Sequence, residues 1–476
     1  MSKSNLIRLA ACLIPAIIIW LLPLSIVGTE FVVTEQRMLA IFIMAALMWI
    51  LEPVPAWVTS TFSILVMLFT VSTGGIGPLV EGIDEKHIVS YQSLLGSYAD
   101  PIIILFLGGF VMALAASESG LDKDVANILL KPFSRNPKLL LLGFMLTTAL
   151  MSMFVSNTAT AAMMITMIAP VLNSLPEDEK GKTALALAIP IGANIGGIGT
   201  PIGTPPNAIA LKYLNDPAGL NLNISFGQWT ALMTPLMLVI VFASWLLLLK
   251  LFPFKNKELK INMDNGGKKP IEKWKYITIA VTIVVTILLW MTDGLTNLQT
   301  SVIALIPITV LSFVGIFTGK DLQKLDWSVL WMVAGGFALG TGIIDTGLAN
   351  DVINAIPFSS LSAIGVIVIS GLICWVLSTF ISNTAAAAML MPLMVVVGTD
   401  IEHNLTDLGG IIVLLVGVGL AASYAMALPI STPPNGIAYA TGKVTTKQMA
   451  LVGVIVGMFS LALTYLILFT AGEKIL

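Results

Sequence analysis

Ser156-Asn157-Thr158 and Ser382-Asn383-Thr384 each interrupt a long apolar segment. The stretches around them are SNTATAAMM at 156–164 and SNTAAAAML at 382–390, an offset of 226. Gly108-Gly109-Phe110 returns as Gly335-Gly336-Phe337, an offset of 227, and TPPNAIA at 204–210 returns as TPPNGIA at 432–438, an offset of 228. Three motifs in one order at nearly one spacing mark a duplicated half, so the chain must fold as two copies of one unit. Neither Ser-Asn-Thr copy contains a charged residue.

The repeated unit is oily. The 476 residues are 57% hydrophobic and 11% charged, against about 25% charged in soluble domains. This predicts an all-α polytopic membrane protein. A bilayer core takes about 20 apolar residues per helix. Unbroken runs lie near 6–27, 37–51, 55–72, 101–118, 229–250, 276–292, 300–317, 327–346 and 449–471. Four further stretches, 138–175, 183–213, 362–398 and 409–441, are broken by a Ser-Asn-Thr or a Thr-Pro-Pro-Asn motif. Lys3 and Arg8 precede an apolar run from Leu9 to about Val27. That is longer than a signal-peptide core and no A-x-A site follows, so 1–28 reads as a retained transmembrane helix.

The first repeat then spans 29–250, with a re-entrant hairpin at 138–175 and a broken helix at 183–213. A cytoplasmic linker at 251–275 carries seven lysines, eight counting Lys250 just before it. The second repeat spans 276–476, with a hairpin at 362–398 and a broken helix at 409–441. The architecture is eleven transmembrane helices plus two re-entrant hairpins, five crossings per half. An odd number of crossings inverts one half relative to the other.

Charge sets the orientation. With the N-terminus cytoplasmic, 20 of the 24 basic residues lie inside, among them Arg8, Lys123, Arg135, Lys182, Lys324 and Lys443. Arg37, Lys86, Lys212 and Lys474 lie outside, with Asp400, Glu402 and Asp407. This follows the positive-inside rule and puts the C-terminus outside.

Irregular backbone at membrane depth survives only where protein buries it or it lines a cavity. Ser, Thr and Asn favour helix starts, and Pro-Pro suits a first helical turn while ending the helix before it. Thr204 and Thr432 are candidate caps. Four helix N-termini would converge, and their free amides attract an anion. The carbonyls ending the preceding arms suit a small hard cation such as Na⁺. A lone Ser-Asn-Thr would read as helix-packing glue. Two copies, each followed about 48 residues later by a proline break, point instead to a transporter's central site.

Other residues read blandly. Cys12 and Cys374 lie in apolar runs, so no disulfide is expected, and His87 and His403 read as solvated connection residues. Asp100, Glu118 and Asp345 lie near membrane boundaries and read as solvated. Glu52-Pro53-Val54-Pro55 reads as a structural turn, and the Gly-Gly pairs as close helix packing. Gly192, Gly196, Gly197 and Gly199 soften the helix before the first break. No phosphate loop, catalytic triad or metal-ligand spacing is present, so the chain is not expected to be an enzyme.

Over essentially its whole length the chain resembles the divalent anion–sodium symporter family in its paired Ser-Asn-Thr motifs, paired Thr-Pro-Pro loops and inverted repeat. The resemblance implies a homodimer with an elevator mechanism, in the cell inner (plasma) membrane. It implies scaffold helices to about 120 and to about 346 in the two repeats, and a moving domain from the hairpins onward. It implies one Na⁺ site at Ser152, Ser156, Asn157 and Gly203, and a second at Ser378, Asn383 and the backbone near Ser431. Substrate carboxylates would meet Asn157, Thr158, Asn383, Thr384, Thr204 and Thr432. The expected function is Na⁺-coupled uptake of C4-dicarboxylates such as succinate, fumarate and malate. A dicarboxylate or 2-oxoglutarate exchanger, or a sulfate carrier, is the alternative on the same fold.

Overall fold

A computed structural model of the chain describes residues 3–23, 32–133, 136–176, 178–216, 219–255, 271–355, 362–405 and 408–472. Among these the chain is helical apart from turns and one isolated bridge between Ser72 and Val89. Most of the linker, with Lys257, Lys260, Lys268 and Lys269, lies outside the described residues, as do Arg135, Asp407 and Lys474.

A leading helix α1 (Lys3–Leu21) precedes the first half. That half runs α2 (Val33–Leu51), α3 (Ala56–Thr70), α4 (Pro101–Ser119), α5 (Leu121–Leu130), α6 (Pro137–Ser152), α7 (Asn157–Ser174), α8 (Gly181–Gly196), α9 (Pro205–Leu214) and α10 (Phe226–Leu251). The second half repeats the order: α11 (Lys273–Met291), α12 (Leu305–Phe313), α13 (Trp327–Asp345), α14 (Leu348–Ala355), α15 (Ala363–Phe380), α16 (Asn383–Asp400), α17 (Gly410–Ser423), α18 (Pro433–Ala440) and α19 (Thr446–Ile467). Helices α13, α15 and α16 begin at the repeat spacing from the starts of α4, α6 and α7. Among the described residues nine helices are long and apolar enough to cross a membrane. Apolar side chains such as Ile18, Val284, Leu288, Ile369, Phe380 and Leu451 stand exposed on them, as expected of faces turned toward lipid.

The breaks form where the sequence prescribes them. Ser156 and Ser382 stop the incoming arm and cap the next helix, accepting from the amides of Ala159 and Ala385 at 3.3 and 3.1 Å. Pro205-Pro206 and Pro433-Pro434 open α9 and α18, where a missing N–H costs nothing. Glu52 closes α2 in a left-handed conformation with φ 46°, so the Glu-Pro-Val-Pro stretch is a turn.

Packing obeys the duplication. α6 and α7 pack on α8, as α15 and α16 pack on α17. Across the halves, α7 packs on α18 and α9 on α16. The outer helices also cross over: α3 packs on α13, and α12 on α4. Both contacts are made at a Gly-Gly pair. A Cβ on Gly108 would lie 2.4 Å from the Ala304 carbonyl, and one on Gly335 would lie 2.2 Å from Ser60 Cβ. The glycines before the first break serve close approach rather than softness. Cβ atoms on Gly192 and Gly196 would fall 2.8 and 2.3 Å from the α6 carbonyls of Met145 and Ala149.

Two polar expectations fail. Asp100 is not solvated: it is 9% exposed and its Oδ2 meets Lys212 Nζ at 2.7 Å. The pair joins the start of α4 to the end of α9, two elements far apart in sequence. His87 is not a free loop residue either. Its Nδ1 lies 2.7 Å from the Thr346 carbonyl and 3.5 Å from the buried Glu35 carboxyl. Glu118 and Asp345 are exposed, and Glu118 pairs with Lys324.

Candidate functional site

The first Ser-Asn-Thr break gathers oxygens. Ser152, on the last turn of α6, is fully buried, and its Oγ donates to the Ala193 carbonyl of α8 at 2.9 Å. The same Oγ lies 2.5 Å from the Asn157 amide. The inward end of that amide is 3.2 Å from both the Gly203 and the Ala193 carbonyls. With its oxygen inward, Asn157 completes a cluster of four neutral oxygens among which only the Ser152 proton is shared, and a cation would satisfy the rest. With its nitrogen inward, the amide satisfies the three acceptors itself. Hydroxyl, amide and carbonyl oxygens without a carboxylate suit a small hard monovalent cation rather than a transition metal. Gly197 and Gly203 keep the space open. Their Cβ atoms would stand 2.8 Å from Asn157 Oδ1 and 2.3 Å from the Gly197 carbonyl.

The second break reproduces the arrangement. Ser378, fully buried near the end of α15, lies 2.8 Å from Asn383 Oδ1 and donates to the Ala422 carbonyl of α17 at 2.9 Å. Ala193 and Ala422 hold equivalent places on α8 and α17, so the carbonyl acceptor is part of the repeat. Thr200 Oγ1 donates to the Met153 carbonyl, and Ser431 Oγ donates to the Thr379 carbonyl at 2.7 Å. Each bond ties a broken-helix loop to the hairpin tip.

The loops are held by asparagines. Asn207 Nδ2 donates to the Gly197 and Thr200 carbonyls at 2.9 and 2.8 Å. Asn435 Nδ2 does the same to Met426 and Leu428, at 2.7 and 2.9 Å. Each amide replaces helix bonds lost at the break. Asn194, near the end of α8, joins the halves, donating to Thr432 Oγ1 at 3.1 Å and to Asn435 Oδ1 at 3.3 Å.

The structure brings Ser152, Asn157 and Gly203 together, and separately Ser378 and Asn383. Ser156 spends its hydroxyl on capping α7, and Ser431 spends its own on the loop bonds to Thr379 and Leu428. Thr158 is exposed, Asn157 and Asn383 half-buried, and Thr384, Thr204 and Thr432 buried. Thr432 caps α18, accepting from the Asn435 amide at 3.3 Å. Thr204 makes no such bond at the start of α9, contrary to expectation. Sequence reasoning missed Ala193 and Ala422, which act through backbone oxygens that no side chain advertises. It also missed Asn194, Asn207 and Asn435; the repeated Asn of Thr-Pro-Pro-Asn was the available signal for the last two.

A family model described as the sodium:sulfate symporter transmembrane region matches residues 3–474. The sodium-dependent dicarboxylate transporter SdcS of Staphylococcus saprophyticus is 31% identical over 467 residues, covering 90% of this chain and 85% of that protein. An uncharacterized transporter of Haemophilus influenzae is 30% identical over 438 residues and 88% of each chain. Two solved structures share the fold alone. MtrF of Neisseria gonorrhoeae, from a class of antimetabolite efflux pumps, has a TM-score of 0.54 at 14% identity, covering 94% of this chain and 96% of that one. The YdaH transporter of Alcanivorax borkumensis has a TM-score of 0.54 at 11% identity, covering 88% of this chain and 99% of that one. A duplicated pair of oxygen-lined breaks, a family model spanning nearly every residue and relatives similar over most of their length lead to one conclusion: the chain is a membrane transporter of the divalent anion–sodium symporter family.

Proposed function

We infer that the chain is a Na⁺-coupled importer of C4-dicarboxylates such as succinate, fumarate and malate. The observation that carries this reading is the pair of uncharged polar clusters at Ser152/Asn157 and Ser378/Asn383, each at a helix N-terminus. The arm end supplies oxygens for a cation, and the helix start supplies amides and partial positive charge for an anion. A dianion arriving with Na⁺ ions crosses a low-dielectric interior with part of its charge neutralised. Similarity to the S. saprophyticus protein, a sodium-dependent dicarboxylate transporter, supports the same coupling.

In this reading Ser152, Asn157 and Gly203 hold one Na⁺, and Ser378, Asn383 and the backbone at Ser431 hold the other, with Ser156 at the margin of the first. Asn157, Thr158, Asn383, Thr384, Thr204 and Thr432 face the carboxylates. Helices α6–α10 and α15–α19 move as one body past a scaffold of the helices before each hairpin, in a homodimer of elevator type. The chain crosses the plasma membrane eleven times, with its N-terminus cytoplasmic and its C-terminus outside.

The test is uptake of labelled succinate into proteoliposomes, with Na⁺ inside, outside or replaced by choline. Accumulation that follows an inward Na⁺ gradient and is competed by fumarate and malate supports the reading. Uptake that needs internal counter-substrate but no Na⁺ would make the protein an exchanger, and competition by sulfate alone would make it a sulfate carrier.

A further inference from the structure

Thr204 and Thr432 stand at equivalent places in the repeat, yet their hydroxyls are held differently. The difference traces to Asn194. Asn435 Nδ2 donates to the carbonyls of Met426 and Leu428, which turns Asn435 Oδ1 the other way. That oxygen faces Asn194 at 3.3 Å, so Asn194 must present its nitrogen. The same nitrogen donates to Thr432 Oγ1 at 3.1 Å, and the Asn435 amide donates to that oxygen as well, at 3.3 Å. A hydroxyl has two acceptor sites and one proton. Both acceptor sites of Thr432 are filled, and its proton is left pointing away from them. The polarity set by two backbone carbonyls is thus relayed through two amides to one hydroxyl.

The first half lacks the relay. Asn207 Nδ2 is fixed in the same way by Gly197 and Thr200, but its Oδ1 is buried without a hydrogen-bond partner. The residue equivalent to Asn194 is Ser423, which donates to the Gly419 carbonyl of its own helix at 3.3 Å. Among the described residues, none dictates whether the Thr204 hydroxyl gives or takes a hydrogen bond. Asn194 is 1% exposed and crosses between the halves, so its placement is specific to one end of the site.

The geometry points to Asn194 as a positioning residue that makes Thr432 an obligate hydrogen-bond donor, so that the second break takes an ionised carboxylate while the first takes either a carboxylate or a donor-bearing polar group. This rests on the reading of both threonines as substrate-binding. The ligand it fits has one end that must be a carboxylate and another that need not be, such as a half-amide of succinate.

Two variants test it in proteoliposomes, Asn194→Ala and the near-isosteric Asn194→Asp. Loss of the oriented bond is expected to raise the KM for succinate about tenfold in Asn194→Ala. Asn194→Asp is expected to raise it further, because a carboxylate there draws the Thr432 proton inward. In Asn194→Ala, half-saturation by Na⁺ and the maximal rate should stay near wild type, and succinamate should compete in the wild type. A succinate KM within twofold of wild type in both variants overturns the inference. So does a parallel rise in the Na⁺ requirement of Asn194→Ala, which would mean general distortion of the site. Thermal stabilisation in detergent by succinate, citrate, 2-oxoglutarate and sulfate separates the two readings. No stabilisation of the wild type by any of them removes the substrate assignment and this inference together. Stabilisation that persists undiminished in both variants removes this inference alone.

Discussion

Replacing Lys212 with methionine should cost more stability than neutralising its partner, Asp100, and the structure says why. Lys212 Nζ lies 2.7 Å from Asp100 Oδ2, with side chains 22% and 9% exposed. Removing the ammonium strands a carboxylate that is nearly shut off from water. Breaking a buried pair from one side costs about 3–5 kcal/mol. Asp100 keeps one compensating contact, since its Oδ1 accepts from the Ile102 amide at 2.9 Å, which puts Lys212→Met near the low end, about 3 kcal/mol. Asp100→Asn preserves that cap. It leaves the ammonium partly hydrated and 5.2 Å from the Phe337 ring, where cation–π attraction offsets roughly 1 kcal/mol. Its loss should be about 1–2 kcal/mol. The double variant buries no charge and should lie within about 1 kcal/mol of wild type. Denaturant unfolding of the purified protein in mixed micelles, analysed as a double-mutant cycle, measures all three. Losses that simply add, or a Lys212→Met no worse than Asp100→Asn, would refute the argument.

Asn157→Ala and Asn383→Ala should each abolish Na⁺-dependent uptake while the protein still inserts, as surface labelling would report; near-normal uptake by both removes the site assignment. Ser156→Ala should lose about 1 kcal/mol from its cap and keep its Na⁺ dependence, because its hydroxyl serves Ala159; stability and Na⁺ titration read the two apart. Gly197→Ala drives a Cβ to 2.8 Å from Asn157 Oδ1 and should eliminate Na⁺-dependent uptake. Gly436→Ala meets only the Pro429 carbonyl at 3.4 Å and should gain up to about 1 kcal/mol in helix propensity. Asp321 is held below its ordinary value of 3.8 by Lys324 and then by the Thr318 hydroxyl. Its contribution is therefore present above that pH and lost as pH falls through the lowered value. The melting difference between wild type and Asp321→Asn should be full at neutral pH and close on acidification below about pH 4.

The duplication and both pairs of breaks were legible because they rest on residue types with few alternatives. Ser-Asn-Thr starts a helix, Pro-Pro forbids its continuation backward, and three motifs return in one order at nearly one spacing. Ser152 and Ser378 were legible only through family resemblance, since a serine four residues before the motif has no local signature. The carbonyls of Ala193 and Ala422 were not legible, because alanine says nothing about where its oxygen points. Asn194 lies in a run of small and apolar residues and gains meaning only when α8 meets α18. Asp100 was placed in water because it lies near a membrane boundary, and Lys212 was counted only as an outside charge. Only the folding of α9 onto α4 brings them together. The split hydroxyl assignments of Thr204 and Thr432 follow from the unequal partners Ser423 and Asn194, which the repeat alone would have made equal.

The exchange of α3 onto α13 and of α12 onto α4 sets a timetable for biosynthesis. Ser60 Oγ donates to the Met332 carbonyl at 3.3 Å across 272 residues of chain. At roughly 5–20 residues per second, the face of α3 at Ser60 that meets Gly335 waits roughly 15–50 s for its partner. During that interval the first half carries an unfilled apolar surface and an unpaired Asn194. Synthesised alone, neither half has a finished interior, so two separately expressed halves should accumulate only when made together.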